Sequence, residues 1–231
     1  GNLWVIYAIK FIMKNDIGLY SKEFDDIYFS PEDGIGESKA VFLDGINAPE
    51  CWKDKKAFTV SELGFGSGLN FLLTAKLWCE TTSPDQQLIY YSTEKYPLDK
   101  SQIEVALEWQ DLQPYVSELL EDYPNNDFLF NGRIKLKILL GDSLEQLRFQ
   151  NFKSEAWYLD GFAPSKNPDM WSDEIFNEMA RLSNQKAQVA TFTAAGFVKR
   201  GLQKVGFQMD KRPGFGKKRE MLTGFWHKKS D

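Results

Sequence analysis

Histidine and cysteine are scarce in this chain of 231 residues, and their scarcity excludes several kinds of chemistry. The only histidine is His227, close to the C-terminus, so we expect neither HExxH metalloprotease chemistry nor a histidine-based catalytic triad. The two cysteines, Cys51 and Cys79, form no disulfide framework and no CxxC pair, which excludes a cysteine-rich zinc site. So few cysteines favour a reduced, cytoplasmic compartment. Because His and Cys ligands are scarce, we also expect no bound metal.

Long hydrophobic runs are also missing. No apolar stretch approaches the ~20 residues that a membrane-spanning helix needs, so we expect no membrane partner. The apolar residues 3–9 are few and follow no basic region, and therefore indicate a strand rather than a signal peptide. The chain is 42% hydrophobic and 26% charged, which is typical of a folded globular protein.

The charge is unevenly distributed along the chain. Residues 196–229 contain ten Lys or Arg and only two Asp or Glu, although the whole chain carries a net charge of -5. A basic end on an acidic body favours a surface that meets an acidic partner. Lysines that simply decorate a final helix and hairpin would explain the same pattern equally well.

Short β-rich runs alternate with helical stretches through the middle of the chain, which predicts an α/β fold with a parallel sheet covered on both faces. The last two strands have no helix between them and predict an antiparallel strand at the sheet edge. The first ~50 residues do not alternate in this way, so we expect a small N-terminal extension over 1–50 and the main domain over 51–231. Strands are predicted at 58–63, 88–93, 134–140, 156–159, 188–192, 207–209 and 221–226, and helices at 70–79, 99–109, 115–120, 173–182 and 195–205.

A glycine-rich loop follows the first of these strands and opens the first helix. Gly64, Gly66 and Gly68 allow the backbone to approach a ligand closely, and the helix N-terminus adds unpaired N–H groups. The third glycine of a dinucleotide-binding GxGxxG pattern is missing. Glu62, at the strand end, would repel a pyrophosphate and suits a cationic ligand better.

Carboxylates recur where the predicted strands end: Glu62, Glu94, Asp142 and Asp160. Each alone is more often a helix cap or a loop residue. Ligands of open α/β sheets bind beyond the carboxyl ends of the strands, so four carboxylates in register predict one acidic crevice.

The most specific motif is LDGFAPSKNPDMW at residues 159–171. It places an acid, Asp160, and an aromatic, Phe162, just past the fourth strand. This arrangement resembles the Asp/Asn-Pro-Pro-Tyr/Phe loop of amine and amide methyltransferases, in which the polar group holds the target nitrogen and the aromatic packs against it. The structural alternative is a capped turn with a packed phenylalanine.

Residues 62–68 resemble the first motif, ExGxGxG, of class I S-adenosylmethionine-dependent methyltransferases. Over residues 24–226 the chain is similar to the tRNA 5-aminomethyluridine methyltransferase family, which forms one domain of bacterial proteins that make 5-methylaminomethyl-2-thiouridine. The strings that carry this resemblance are FDDIYFS at 24–30, GFGSGLNF at 64–71, residues 159–171, ATFTAAGFV at 190–198 and KRPGFGKKREM at 211–221.

The resemblance implies a Rossmann-like, mostly parallel seven-stranded sheet with an antiparallel edge strand. It implies that S-adenosyl-L-methionine is the methyl donor and that the acceptor is the 5-aminomethyl group of uridine or 2-thiouridine at the tRNA wobble position. Many relatives carry a second, FAD-dependent oxidase domain, whereas no FAD is expected in this chain. One departure is Asn184-Gln185-Lys186-Ala187-Gln188, where the family often has Pro-Gly-Gly.

The resemblance also implies residue roles. Asp160 would orient the amine and accept its proton only if burial raises its pKa, and Phe162 would exclude water beside it. Glu94 would hold the ribose hydroxyls and Asp142 would face the adenine amine. The remaining candidates for donor binding are Glu62, Gly64, Gly66, Gly68, Asn70 and Asp160, and those for binding the tRNA anticodon region are Asp25, Tyr28, Lys166, Arg212, Lys217, Lys218 and Arg219.

Two alternative functions remain open on the sequence. One is a methyltransferase of the same fold that acts on another amine. The other is a non-catalytic RNA-binding module that has kept the sheet and lost the donor site. A nicotinamide dehydrogenase is disfavoured by the glycine spacing.

Overall fold

The structure is a computed structural model and describes residues 20–21, 26–27 and 33–228. The strand predicted at 3–9 and the candidate residues Asp25 and Tyr28 lie outside the described residues. Within the described ranges the strands are β1 (Tyr20–Ser21), β2 (Asp26–Ile27), β3 (Ala57–Leu63), β4 (Gln87–Glu94), β5 (Phe128–Leu129), β6 (Ile134–Leu140), β7 (Ser154–Leu159), β8 (Ser183–Thr191), β9 (Phe207–Pro213) and β10 (Glu220–Trp226).

The helices agree with the predicted alternation. Short turns of other types connect several of them: a π-turn at Lys39–Leu43 and 3-10 turns at Asp44–Ile46, Glu50–Trp52, Gln110–Leu112 and Pro168–Trp171. The α-helices are α1 (Gly34–Ser38), α2 (Leu69–Thr81), α3 (Lys100–Ala106), α4 (Gln113–Asp122), α5 (Ser143–Arg148), α6 (Asp173–Arg181) and α7 (Gly196–Lys204).

The main sheet has eight strands in the order β5-β6-β4-β3-β7-β8-β10-β9. Strands β3, β4, β6, β7 and β8 run parallel, which confirms the mostly parallel α/β fold. The antiparallel strand expected in the final pair is β10, and it lies one place in from the edge, between β8 and β9. The two-residue strand β5 adds an antiparallel strand at the opposite edge, so the sheet contains one strand more than expected.

The strand order places the chain reversal next to β3. The chain moves outwards from β3 to β4 and β6, then returns to the other side of β3 for β7 and β8. Leu63 is in register with both Thr93 and Leu159, so the three central strands end side by side. Such a switch point opens a crevice beyond the carboxyl ends of the strands.

The segment before β3 belongs to the same core as the sheet. Val41, Phe42 and Ile46 are buried in the hydrophobic cluster that also holds Trp78 of α2 and Tyr158 of β7. Burial of one such side chain is worth about 1.5–3 kcal/mol, so this part of the chain is held firmly against the sheet. A domain boundary near residue 50 stays a prediction.

Local details of the predicted elements also differ. The acidic cap at Asp99 is confirmed as a capping box with Gln102, but α3 ends at Ala106 instead of continuing to Trp109. Helix α5 was not predicted, and Asp142 caps it. None of the helices in the described ranges has the length and hydropathy needed to cross a bilayer.

Candidate active site

A cavity of about 290 Å³ opens at the carboxyl ends of the central strands, where the four strand-end carboxylates were expected to converge. Its acidic lining suits a positively charged ligand. No group of His, Cys, Asp or Glu within the described ranges could hold a metal ion. The charged residues that line the cavity are Glu37, Glu94, Asp142, Asp160, Asp169 and Lys95.

The glycine loop forms one wall of this cavity. Gly64 and Gly66 line it and have positive φ angles of 90° and 55°, which favour glycine. The amides of Gly64 and Phe65 both donate to the carbonyl of Thr93 at 3.0 Å, which holds the loop against β4. Gly68 does not line the cavity but packs under Phe65, whose ring carbon Cζ would lie 3.0 Å from an added Cβ.

The turn that follows β7 lies directly against the glycine loop. A Cβ added to Gly64 would lie 3.0 Å from the Cα of Gly161, so the two glycines pack back to back. This contact brings Asp160 and Phe162, which flank Gly161 in sequence, to the cavity wall. The loop and the turn therefore line the same cavity.

A buried hydrogen-bond network surrounds Asp160. The Asn70 side chain, in the first turn of α2, donates from Nδ2 to Asp160 Oδ2 at 2.7 Å and to Glu62 Oε2 at 3.1 Å. Its Oδ1 accepts a hydrogen bond from the hydroxyl of Ser38, at the end of α1. Both ends of the amide are therefore engaged, which fixes its orientation.

Glu62 occupies a different position from the one expected. Its side chain is buried behind Asn70 and does not line the cavity. Direct contact of Glu62 with the donor stays a prediction. The hydroxyl of Ser92 donates to Glu62 Oε1 at 2.7 Å. Burial, helped by the nearby charge of Asp160, raises the pKa of Glu62 to about 8, so this carboxyl is largely protonated at neutral pH.

Asp160 has a carboxyl suited to proton exchange near neutral pH. Burial raises its pKa to about 7, although hydrogen bonds from the Asn70 side chain and the Gly161 amide oppose the shift. Proton acceptance by Asp160 was expected only if burial raises its pKa, and burial does raise it. The role of Asp160 as proton acceptor stays a prediction.

Glu94 and Asp142 both line the cavity on the side of β4 and β6. Glu94 accepts the amide hydrogens of Gly66 at 2.8 Å and Tyr96 at 2.9 Å. Burial raises the pKa of Glu94, while its backbone hydrogen bonds act in the opposite direction. Asp142 caps α5 by accepting from the amide of Glu145 at 3.1 Å.

The loop after Gly161 packs Phe162 into the wall of the site. Phe162 is buried, and its carbonyl accepts from Trp171 Nε1 at 3.0 Å. The predicted aromatic therefore lies beside Asp160 at the cavity. Lys166 is exposed on the same loop and does not line the cavity.

The basic residues of the β9–β10 hairpin separate into two groups. Arg212 is half-buried and donates to the carbonyl of Ala40, so its guanidinium ties β9 to the turn after α1. Burial lowers the pKa of Arg212. Contact of Arg212 with the substrate stays a prediction. Lys217, Lys218 and Arg219 are exposed.

Sequence reasoning missed the contribution of α1 to the cavity. Glu37 and Ser38 both line it, and they come from the segment assigned only to an extension. A signal was present, because Asp33 caps the helix through the Gly36 amide at 2.8 Å. Apolar residues follow that cap at helical spacing, at positions 35, 42 and 46.

Comparison with known proteins is consistent with this geometry. Residues 105–227 match the profile of a family described as S-adenosyl-L-methionine-dependent methyltransferase. The match covers more than half of the chain, and the chain belongs to this family. The fold is the class I methyltransferase fold that the sequence predicts.

More specific relatives are also found. The chain is 45% identical over 214 residues to the tRNA 5-methylaminomethyl-2-thiouridine biosynthesis bifunctional protein MnmC of Magnetococcus marinus, a match that covers 89% of this chain and 32% of that protein. The chain thus spans about a third of the length of the curated relatives it matches. The word "bifunctional" and this coverage agree with a further domain in those relatives.

Two solved structures have a similar fold over most of this chain. The crystal structure of MNMC2 from Aquifex aeolicus aligns with a TM-score of 0.79 at 26% identity, covering 89% of this chain and 65% of that one. A precorrin-6y C5,15-methyltransferase from Geobacter metallireducens aligns with a TM-score of 0.50 at 12% identity, covering 92% of this chain and 96% of that one. The second likeness concerns the fold alone.

Proposed function

We propose that this chain methylates the 5-aminomethyl nitrogen of uridine or 2-thiouridine at the tRNA wobble position, giving 5-methylaminomethyluridine. The observation that carries the proposal is the buried carboxyl of Asp160, placed with Phe162 on an acidic cavity beside the glycine loop. The 45% identity to a protein named for 5-methylaminomethyl-2-thiouridine biosynthesis supports the choice of substrate.

The cavity is suited to S-adenosylmethionine, whose sulfonium and ammonium groups are cationic. When bound, this donor supplies an electrophilic methyl carbon attached to a positively charged sulfur. Gly64 and Gly66 would let the backbone approach the donor, and an acidic lining favours its charge. Glu94 would accept hydrogen bonds from the ribose hydroxyls and Asp142 from the adenine amine.

The acceptor must be a neutral amine, because its lone pair forms the new bond to carbon. A primary alkylamine resembles lysine, with a reference pKa of ~10.4, and is mostly protonated at neutral pH. Asp160 would accept the surplus proton, and its raised pKa of about 7 makes it a far stronger acceptor than an exposed aspartate. The nitrogen–carbon bond forms as the carbon–sulfur bond breaks, and the electron pair of the broken bond stays on sulfur.

The tRNA would reach the site along the exposed end of the β9–β10 hairpin. Lys217, Lys218 and Arg219 there, and Lys166 on the loop after β7, are exposed cations suited to phosphate contacts in the anticodon region. The wobble base would be splayed out of its stack into the cavity, because the enzyme must reach an exocyclic group. A tRNA substrate would place the enzyme in the cytoplasm, and the oxidase chemistry would come from an FAD-dependent domain or a separate partner.

The direct test is incubation with the methyl donor and tRNA that carries 5-aminomethyl-2-thiouridine, followed by nucleoside mass analysis. We expect one added methyl group on that nucleoside and none on the same tRNA with unmodified uridine. Asp160→Asn, which keeps the shape of the side chain, should still bind the donor but lose about 10²–10⁴-fold in turnover. Wild-type turnover in this variant would overturn the role of Asp160.

One result would overturn the proposed acceptor and another the proposed catalytic activity. Methylation of tRNA that lacks the aminomethyl group would favour another acceptor. Absence of donor binding in calorimetry would favour a non-catalytic RNA-binding module.

A further inference from the structure

A lysine of this chain already places an alkylammonium group at the edge of the cavity. Lys218 Nζ lies 2.7 Å from Glu37 Oε1, although the two residues are far apart in sequence. The same nitrogen lies 5.2 Å from the ring centroid of Phe192, within the range of a cation–π contact. Glu37 and Phe192 both line the cavity.

This ammonium position belongs to the surroundings of Asp160. Asp160 lines the same cavity as Glu37 and Phe192. The charge of Glu37 raises the pKa of Asp160 and the charge of Lys218 lowers it, so both charges lie close enough to act on Asp160. The neighbour of Glu37, Ser38, is tied to Asp160 through Asn70, which fixes α1 relative to the Asp160 carboxyl.

The Lys218 side chain ends in a primary alkylammonium, which is the same chemical group as a protonated aminomethyl substituent. Such a group has three N–H donors and is best satisfied by more than one acceptor. The Glu37 carboxylate, the Asp160 carboxyl and the face of the Phe192 ring together offer this environment.

We propose that Glu37 and Phe192 form the subsite that receives the aminomethyl group of the substrate as an alkylammonium, and that Lys218 occupies this subsite until tRNA displaces it. This inference rests on the proposed function and deepens it. Lys218 is exposed on the same hairpin as Lys217 and Arg219, so on displacement it can turn to a phosphate of the incoming tRNA. The exchange replaces one ammonium by another at Glu37.

The subsite makes a prediction about discrimination rather than about overall affinity. The tRNA backbone contributes equally whether or not the wobble uridine carries an aminomethyl group, so its contribution cancels in a ratio of two dissociation constants. The experiment measures the Kd of one tRNA with 5-aminomethyl-2-thiouridine and the Kd of the same tRNA with uridine. The ratio is the Kd for the uridine tRNA divided by the Kd for the aminomethyl tRNA, so a higher ratio means stronger discrimination. S-adenosylhomocysteine is present to fill the donor site without turnover.

Glu37→Gln should reduce this ratio by about tenfold, because it removes the charge from a hydrogen bond to an ammonium. Glu178→Gln is a matched control: its carboxylate pairs with Arg181 at 2.6 Å and is 19% exposed, against 20% for Glu37, but it does not line the cavity. Phe192→Leu, which leaves the charges intact, should also reduce the ratio. Lys218→Met should bind the nucleoside 5-aminomethyl-2-thiouridine, which has no phosphate, more tightly than wild type does, because the internal competitor at Glu37 is gone.

The outcomes separate this inference from the proposed function. If wild type methylates aminomethyl-tRNA but Glu37→Gln and Phe192→Leu keep the wild-type ratio, the subsite is wrong and the proposed function stands. Unchanged or weaker binding of the nucleoside by Lys218→Met would overturn the displacement of Lys218. If wild type neither methylates nor prefers aminomethyl-tRNA, the proposed function itself fails.

Discussion

The amide of Asn70 donates to Asp160 at 2.7 Å from the first turn of the helix that follows the glycine loop. The same amide nitrogen also donates to the Glu62 carboxyl, and the amide oxygen accepts a hydrogen bond from the Ser38 hydroxyl. One amide therefore links two buried carboxyls with the segment that precedes the sheet. Donation to a carboxylate favours its charged form, so Asn70 restrains the rise in pKa that burial causes at both carboxyls.

Asn70→Ala tests this restraint through the pH dependence of turnover. Without the amide the pKa of Asp160 rises further above its value of about 7, so the charged form that accepts a proton appears only at higher pH. We expect kcat to fall at pH 7 and to recover at alkaline pH, and the acid limb of the pH–kcat profile to move upwards. Asn184→Ala is the control, because Asn184 donates to the Glu155 carboxylate at 3.2 Å away from the cavity. A uniformly reduced profile with an unmoved acid limb would show that Asn70 does not act on turnover through the pKa of Asp160.

The parts of the site that could be predicted from sequence are those with a local signal. Gly64 and Gly66 were recognisable because the loop needs positive φ between a strand and a helix. Asp160 and Glu94 were recognisable because Asp160 directly follows β7, Glu94 is the last residue of β4, and parallel strands end at one edge of the sheet. Both inferences depend only on periodicity and on the backbone requirements of glycine.

The parts that were missed depend on contacts between distant segments. Glu37 and Lys218 are separated by almost the whole described chain, and no local pattern predicts their ion pair. Arg212 looked like an exposed hairpin cation, but its guanidinium is held by the carbonyl of Ala40. Glu62 stands near a strand end like the other acids, yet it is in register with Ser92 and Tyr158, two residues before Glu94 and Asp160. Its side chain therefore lies deeper along the strand, beneath Asn70.

Glu62→Gln should change the pH dependence of stability. The pKa of Glu62 is about 8 in the folded chain against 4.5 for the free side chain, so between these values the folded state holds a proton that the unfolded state has lost. The free energy of unfolding therefore falls as pH rises through this window, by on the order of 1 kcal/mol per pH unit. Glutamine resembles the neutral acid and cannot ionise, so the variant should match wild type near pH 5 and exceed it near pH 8.5.

Urea unfolding at the two pH values measures this difference. Asp160 contributes a slope of the same sign and remains in the variant, so the slope should become shallower without vanishing. Glu178→Gln, which removes a carboxylate of a partly exposed ion pair far from Glu62, should leave the wild-type slope between pH 5 and pH 8.5 unchanged. A variant with the full wild-type slope would show that Glu62 is ionised in the folded state at neutral pH.

Gly161→Ala tests the contact between the turn and the glycine loop. Gly161 has a φ of 88°, and an added Cβ would lie 2.7 Å from the sulfur of Met170. Strain at positive φ together with this contact should lower the free energy of unfolding by about 1–3 kcal/mol. Turnover should fall as well, because the neighbouring Asp160 would move.

Gly132→Ala separates backbone strain from the steric contact, since Gly132 has a φ of 81° but nothing within 4 Å of an added Cβ. Equal losses of turnover in both variants would contradict a specific role for the turn.

The exposed cations of the β9–β10 hairpin should control the salt dependence of tRNA binding. Each Lys or Arg that neutralises a phosphate releases counterions, so the logarithm of the binding constant falls linearly with the logarithm of the salt concentration. Lys217→Ala and Arg219→Ala should each weaken binding and make this slope shallower by up to about one unit. Lys56→Ala is the control, because Lys56 is also exposed but pairs with Asp85 at the opposite, amino-terminal end of β3. The slopes would be measured with tRNA that carries unmodified uridine, so that the cavity contributes little. If both hairpin variants keep the wild-type slope, the tRNA approaches over another face and the basic hairpin is a solvated surface.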